Sequence, residues 1–183
     1  MPDIQDLIHR VAAKAKTPRT ALPAPVSAEQ LATVEAELGF QLPPLLASLY
    51  REIANGGYGP DYQLLPLVGA ERTVLSEYHA ERSASAEEES PYWPARVLPI
   101  LDWGCAMYAA VDCNSEAGRV LLFEPNGAED DGVAAWFMDA ESLADWLETW
   151  LSGTGWYRED ADEDDLPDQE LPRWEHAAFR IME

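Results

Sequence analysis

The sequence predicts an α+β domain, and three observations carry that prediction. Two helices with explicit start and stop signals stand near the front, over residues 27–53. Four short apolar runs follow between residues 96 and 139, separated by Asn-, Gly- and Asp-rich links of hairpin length. A last amphipathic helix pattern comes after them, at 140–153. Helices, then strands, then a helix describe segregated α+β elements rather than a β/α alternation. The chain has 183 residues, 47% of them apolar and seven of them Trp. That is enough for one domain with its own packed core and some appendage.

Residues 3–16 read as a short amphipathic helix, with Ile4, Leu7, Ile8, Val11 and Ala15 at helical spacing. "TPRTALPAPV" then breaks it, and its three closely spaced prolines give an extended linker. Residues 1–26 are therefore expected to be a separable basic element. "SAEQLATVEAELG" is the next helix: Ser27 and Gln30 make a capping box, Leu31, Val34 and Leu38 share a face, and Gly39 is the left-handed cap, with Phe40 closing over it. Pro43 or Pro44 starts the following helix, where a missing N–H costs nothing. Its buried stripe is Leu45, Leu46, Leu49, Tyr50 and Ile53. Asn55-Gly56-Gly57 ends it. A phosphate cradle needs its glycines before a helix, so that N–H groups face the anion. Here the helix comes first, and a reversed, tightly packed turn is the expectation.

"YQLLPL" (62–67) reads as a short strand and "ERTVLSEYHAERSAS" (71–85) as a helix, followed by the loop "AEEESPYWPA". "RVLPILDW", "CAMYAAVD", "GRVLLFE" and "VAAWFMD" are the four strands of an antiparallel meander. Asp139 is the expected cap of the last helix, whose apolar face is Leu143, Trp146, Leu147, Trp150 and Leu151. The domain spans 27–152. Residues 153–183 form an acidic extension: "REDADEDDLPDQE" is a solvated run, and Trp174, Phe179 and Ile181 let the terminus dock back.

The formal net charge is −22. Residues 1–26 hold Arg10, Lys14, Arg19 and Lys16 against Asp3 and Asp6, so the rest carries −24 with no lysine. Such a body repels nucleic acid and anionic membrane and attracts basic partners. No apolar run reaches the ~18 residues of a membrane span, and the N-terminus has no signal-peptide core, so a cytoplasmic location is expected. Cys105 and Cys113 fit two reduced, half-buried thiols, with no zinc spacing. His9, His79 and His176 form no metal-binding or catalytic spacing. "DADEDDLPDQEL" resembles a calcium loop but has Asp165 where the turn needs Gly and Leu171 where the bidentate Glu belongs. No metal and no cofactor are expected.

Asp102 and Asp112 end or follow strands. As a converging pair they would allow acid/base work in a hydrolase; as loop caps they would accept turn N–H groups, which is the preferred reading. Trp93 and Trp156 stand in loops beside acid clusters. They are either hot-spot aromatics for a basic partner or covers of the core edge. Of the acid clusters Glu87-Glu88-Glu89, Glu129-Asp130-Asp131 and Asp162 to Asp165, the second is the best candidate for partner binding, because a short hairpin loop holds its charge in place.

"VEAELGFQLPPLLASLY…NGG" is similar to the opening signature of the SUKH superfamily, through Glu35, Glu37, Leu38, Gly39, Leu42, Pro43, Asn55, Gly56 and Gly57. "ILDWGCAMYAAVD" resembles its second signature, through Trp103, Gly104 and Asp112, and "ESLADWLETWL" is like its closing helix. The resemblance spans 27–152. It implies a SUKH-like single domain with a central mixed, largely antiparallel sheet packed by helices. It also implies a non-enzymatic binding protein, in bacteria commonly an immunity protein that neutralises a cognate toxin, often a nuclease. A general interaction or scaffold domain is the alternative. The partner would be a basic protein toxin, covered by occlusion, with no direct nucleic-acid or membrane binding.

Overall fold

The computed structural model describes residues 3–17, 21–60, 62–128, 131–155 and 171–183. Helix α1 (Ile4–Ala15) starts at Asp3, whose side chain accepts from the Gln5 N–H at 3.0 Å. It buries Leu7, Ile8, Val11 and Ala15, four of the five residues that helical spacing selects. These belong to the same core as the rest of the domain. The end of the proline-rich stretch behind it is also held down: Val26 is buried, and Asn55 N–H bonds the Ala24 carbonyl. The basic segment thus packs as core, against the expectation that it is separable.

Helix α2 (Ala28–Leu38) carries both capping-box bonds between Ser27 and Gln30, and Gly39 closes it at φ +79°. Phe40 packs edge-on against Tyr78. Helix α3 (Pro44–Ser48) continues into a π turn over Leu49–Ile53, in which Ala54 N–H reaches back to the Leu49 carbonyl. All five stripe residues are buried. At the turn that follows, the Asn55 side chain bonds the backbone on both sides: it accepts from Leu67 N–H at 2.7 Å and donates to the Val68 carbonyl at 2.7 Å. Gly56 lies so close to residues 64–65 that a Cβ would stand 2.6 Å from the Leu64 carbonyl oxygen. Asn55-Gly56-Gly57 is a packed turn, as expected. The same contacts explain why residues 62–67 form no strand. Asn55 and Gly57 take up the backbone groups of Leu64, Leu67 and Val68, and Gln63 has φ +65°; the stretch meets the sheet through the Leu65 N–H bond to the Ile100 carbonyl and the Tyr62 ring on Trp103.

Helix α4 (Val74–Glu87) starts at a second capping box, Thr73 with Ser76. Strands β1 (Val97–Gly104), β2 (Met107–Asp112), β3 (Arg119–Phe123) and β4 (Trp136–Ala140) form a meander in that order. Every pair among the described strands is antiparallel, so the sheet is not mixed. Successive residues of β1, from Val97 to Leu101, and of β2, from Tyr108 to Asp112, are buried, so both faces of the sheet are covered. The fourth strand starts later than its apolar run, because Gly132–Ala135 curl into a 3₁₀ turn. Helix α5 (Leu143–Ser152) is capped by Ser142 and not by Asp139, which lies in β4 and accepts from the Trp146 indole N–H at 2.9 Å. Gly153, at φ +70°, ends it.

α1 lies on α5 through Arg10, which forms a fork to Glu148 at 2.5 and 2.8 Å. Lys14 donates to the Trp150 carbonyl at the helix end, where a cation meets the negative pole. The C-terminal stretch docks back, as expected. It adds an antiparallel bridge, Phe137 to Arg173, at the β4 edge and ends in helix α6 (Ala177–Ile181). Trp174, Ala177 and Ile181 are buried, while Phe179 is exposed.

Candidate functional site

The β3–β4 connection faces the C-terminal end of α4 across a cleft of about 650 Å³. α4 supplies Glu81, the loop after it supplies Glu88 and Glu89, and the opposite wall supplies Asp131. Tyr92 and Phe123 stack between the walls, with ring centroids 5.7 Å apart. Among the described residues, no Lys or Arg lines the cleft.

Local sequence explains this placement. Ser85 is buried in the last turn of α4, and its hydroxyl accepts from the N–H groups of Tyr92 and Trp93, both at 2.8 Å. That draws the loop back under the helix, so Glu88 and Glu89 are held at its rim. The Asp131 side chain accepts from Val133 N–H at 3.0 Å and starts the 3₁₀ turn. Gly132 is then pressed onto Tyr92, where a Cβ would collide with the tyrosine Cα and Cβ. Trp136 donates its indole N–H to the Tyr92 carbonyl at 2.7 Å.

The carboxylates differ in their compensation. Glu77, one turn before Glu81, meets Arg72 at 2.7 Å and the Tyr108 hydroxyl at 2.9 Å; the arginine holds its pKa below the usual carboxylate value. Arg72 also reaches Asp102 at 2.6 Å. Glu81 is half-buried and accepts from the Tyr92 hydroxyl at 3.0 Å. Burial raises its pKa, with the tyrosine hydrogen bond opposing. A carboxylate shielded from water and bonded to a neutral hydroxyl has interaction capacity left for a cation. No group of three His, Cys, Asp or Glu that could hold a metal ion is found among the described residues.

Asp131 is the one member of the favoured acidic trio that lies within the described residues; Glu129, Asp130 and Trp156 lie outside them, as does most of the calcium-loop stretch. Trp93 is a correction. Its ring is fully buried against Tyr108, Phe123 and Trp136, and its indole N–H bonds the Val97 carbonyl, so it offers no surface to a partner. Asp102 and Asp112 do not converge. Val97 faces Asp112 in the ladder and Asp102 is five residues further along β1, which separates them by about 16 Å at the rise of a strand. Each accepts a turn N–H instead: Gly104 at 2.7 Å and Asn114 at 3.0 Å. Gly104 has φ +84° with nothing within 4 Å of a Cβ, so backbone conformation, not close approach, selects glycine there. Leu38 and Pro43 flank the α2–α3 turn, and Trp103 is buried. His9, His79, His176 and Cys105 are exposed; Cys113 is half-buried.

Glu81, Tyr92 and Phe123 were missed by sequence reasoning. Helical spacing does not pair Glu81 with the acid cluster: Glu81 lies on α4, while Glu88 stands just past its end in extended backbone. None of the described helices is long and apolar enough to cross a membrane.

Comparison with curated proteins finds no match. A family model described as the SMI1 / KNR4 family (SUKH-1) matches residues 25–149, which span α2 through most of α5. That span holds both signature stretches and all four strands, and the chain belongs to the SMI1 / KNR4 family (SUKH-1).

Proposed function

We propose that the protein is a binding module of the immunity type, which holds a basic protein partner in the cleft between α4 and the β3–β4 connection. The observation that carries this reading is the convergence of Glu81, Glu88, Glu89 and Asp131 around stacked Tyr92 and Phe123, with no basic residue in the described lining. Arginine and lysine side chains fit such a lining. Their apolar stems lie along the rings, their heads meet carboxylates, and the aromatic faces add cation–π attraction. Family membership supports a role in binding, and the charge of −22 favours a cationic partner.

The finer reading is neutralisation of a toxin, such as a nuclease, by occlusion. Acidic side chains would cover the basic cleft with which the toxin holds its polyanionic substrate. The test is co-expression with the product of the adjacent reading frame, followed by pull-down and a toxin activity assay. Stoichiometric inhibition that weakens on Glu81→Gln, Glu88→Gln substitution supports the proposal. A toxin bound and inhibited equally well by that variant would place its site elsewhere.

A further inference from the structure

Residues 171–183 lie outside the family-matched span, yet they brace one wall of the cleft. That wall is the stretch 131–135. On its cleft side Gly132 abuts Tyr92. On its other side the Arg173 guanidinium donates to the Ala134 carbonyl at 2.7 Å and lies 5.3 Å from the centre of the Phe137 ring. The backbone around Arg173 is paired with β4: Met138 N–H bonds the Pro172 carbonyl at 2.7 Å, and Trp174 N–H bonds the Trp136 carbonyl at 3.0 Å. Trp136 in turn donates to Tyr92. The wall is therefore enclosed by a closed circuit, from Tyr92 through Trp136 and Trp174 to Arg173 and back through Ala134. The far end of the segment is anchored separately, by Arg180 on Asp112 and on the Ala95 carbonyl.

We infer that Arg173 is a positioning residue for the cleft, and that the C-terminal segment is part of the partner site; this rests on the reading of the cleft as that site. A single 3₁₀ turn has few hydrogen bonds of its own, and Arg173 adds a charge-assisted one to its outer face. Holding 131–135 in place keeps Asp131 opposite Glu81 and Glu88 across the stacked rings. Linkage makes the effect reciprocal: a ligand that needs the wall in place tightens the hold of Arg173 on it, by the same factor that Arg173 tightens the ligand.

Charge alone makes the opposite prediction, which gives a test of sign. Removing Arg173 deletes a cation from the neighbourhood of an acidic cleft, so simple attraction would strengthen the binding of a cationic ligand. Positioning predicts that it weakens. The experiment uses the full chain, a hexa-arginine peptide as probe, calorimetric titration, and amide hydrogen exchange. Arg173→Ala is expected to bind the probe several-fold more weakly than the wild type, with Arg173→Lys recovering most of the loss. Exchange over 132–136 is expected to speed up in Arg173→Ala, and to slow at Met138 and Trp174 when the probe is added to the wild type. Equal or tighter binding by Arg173→Ala overturns the inference and leaves the cleft reading standing. Unchanged exchange over 132–136 in Arg173→Ala overturns it even if the probe binds nothing. A wild type that ignores the probe while Arg173→Ala loosens the wall keeps the positioning role and sinks the cleft reading.

Discussion

The buried pair between Arg180 and Asp112 joins a residue outside the family span to one inside a family signature. Arg180 donates to both Asp112 carboxylate oxygens at 2.9 Å, and Asp112 is 2% exposed. Arg180→Met keeps the packing over Trp174 and removes the charge. Asp112 is then left with the Asn114 N–H and with Arg119 at 3.9 Å, too far for a hydrogen bond. Removing one partner of a buried pair costs about 3–5 kcal/mol, and the remaining arginine places this case near the lower end. For a chain of this size that lowers the melting temperature by roughly 6–12 °C. Arg180→Met combined with Asp112→Asn leaves no orphaned charge, and the substituted amide keeps an acceptor for the Asn114 N–H. The double variant should therefore recover most of the loss in urea and thermal unfolding. A loss below about 1 kcal/mol for Arg180→Met, or simple additivity in the double variant, would refute the reasoning, because contacting charges must couple.

Gly56→Ala and Gly104→Ala share a positive φ but not their surroundings. Gly104→Ala should cost about 1–2 kcal/mol of backbone strain, and Gly56→Ala clearly more, since its Cβ would meet backbone oxygens; equal melting temperatures would contradict this. Deleting residues 1–17 removes four side chains that are at most 3% exposed, Leu7, Ile8, Val11 and Ala15, and should destabilise on the order of 5 kcal/mol. A deletion variant with unchanged cooperative unfolding by circular dichroism would show the helix to be dispensable. Glu81 has its pKa raised by burial. The folded state thus binds its proton more tightly than the unfolded state, so its contribution to stability is full below the ordinary value near 4.5 and falls as pH rises through the raised one. The stability of Glu81→Gln relative to wild type should accordingly increase across that window in pH-dependent urea melts, and a flat difference would contradict the burial argument.

Local signals carried most of the fold. The capping box at Ser27, the left-handed glycines at 39 and 153 and the four apolar runs depend on neighbours in sequence, and they stand where those neighbours put them. What failed depended on distant partners. Residues 62–67 have strand composition, but Asn55 and Gly57 bind their backbone from another turn. α1 looked separable because its proline link is local, while the surfaces that bury it, α5 and the π turn, come later in the chain. Trp93 could not be settled between surface and core because acids flank it in sequence, while its buried neighbours arrive from three strands. The cleft was half legible: two acid clusters were visible in the sequence, and that Asp131 shares a cleft with Glu88 and Glu89 was not. Tyr92 and Phe123, which lie between them, carry no local mark of the role.

The most direct test of the central claim is stopped-flow association with a basic protein partner captured by pull-down. It compares the wild type with a Glu88→Gln, Glu89→Gln, Asp131→Asn variant across a salt series. The Asp131→Asn change retains the acceptor that starts the 132–135 turn, so the wall is kept and only charge is lost. If the acidic cleft captures a basic partner, wild-type association slows several-fold from low to physiological salt, where screening sets in within about 8–10 Å. The variant then associates more slowly at low salt and loses most of that dependence. Equal rates for the two proteins at every salt concentration would contradict the account and leave the acidic surface with no part in capture.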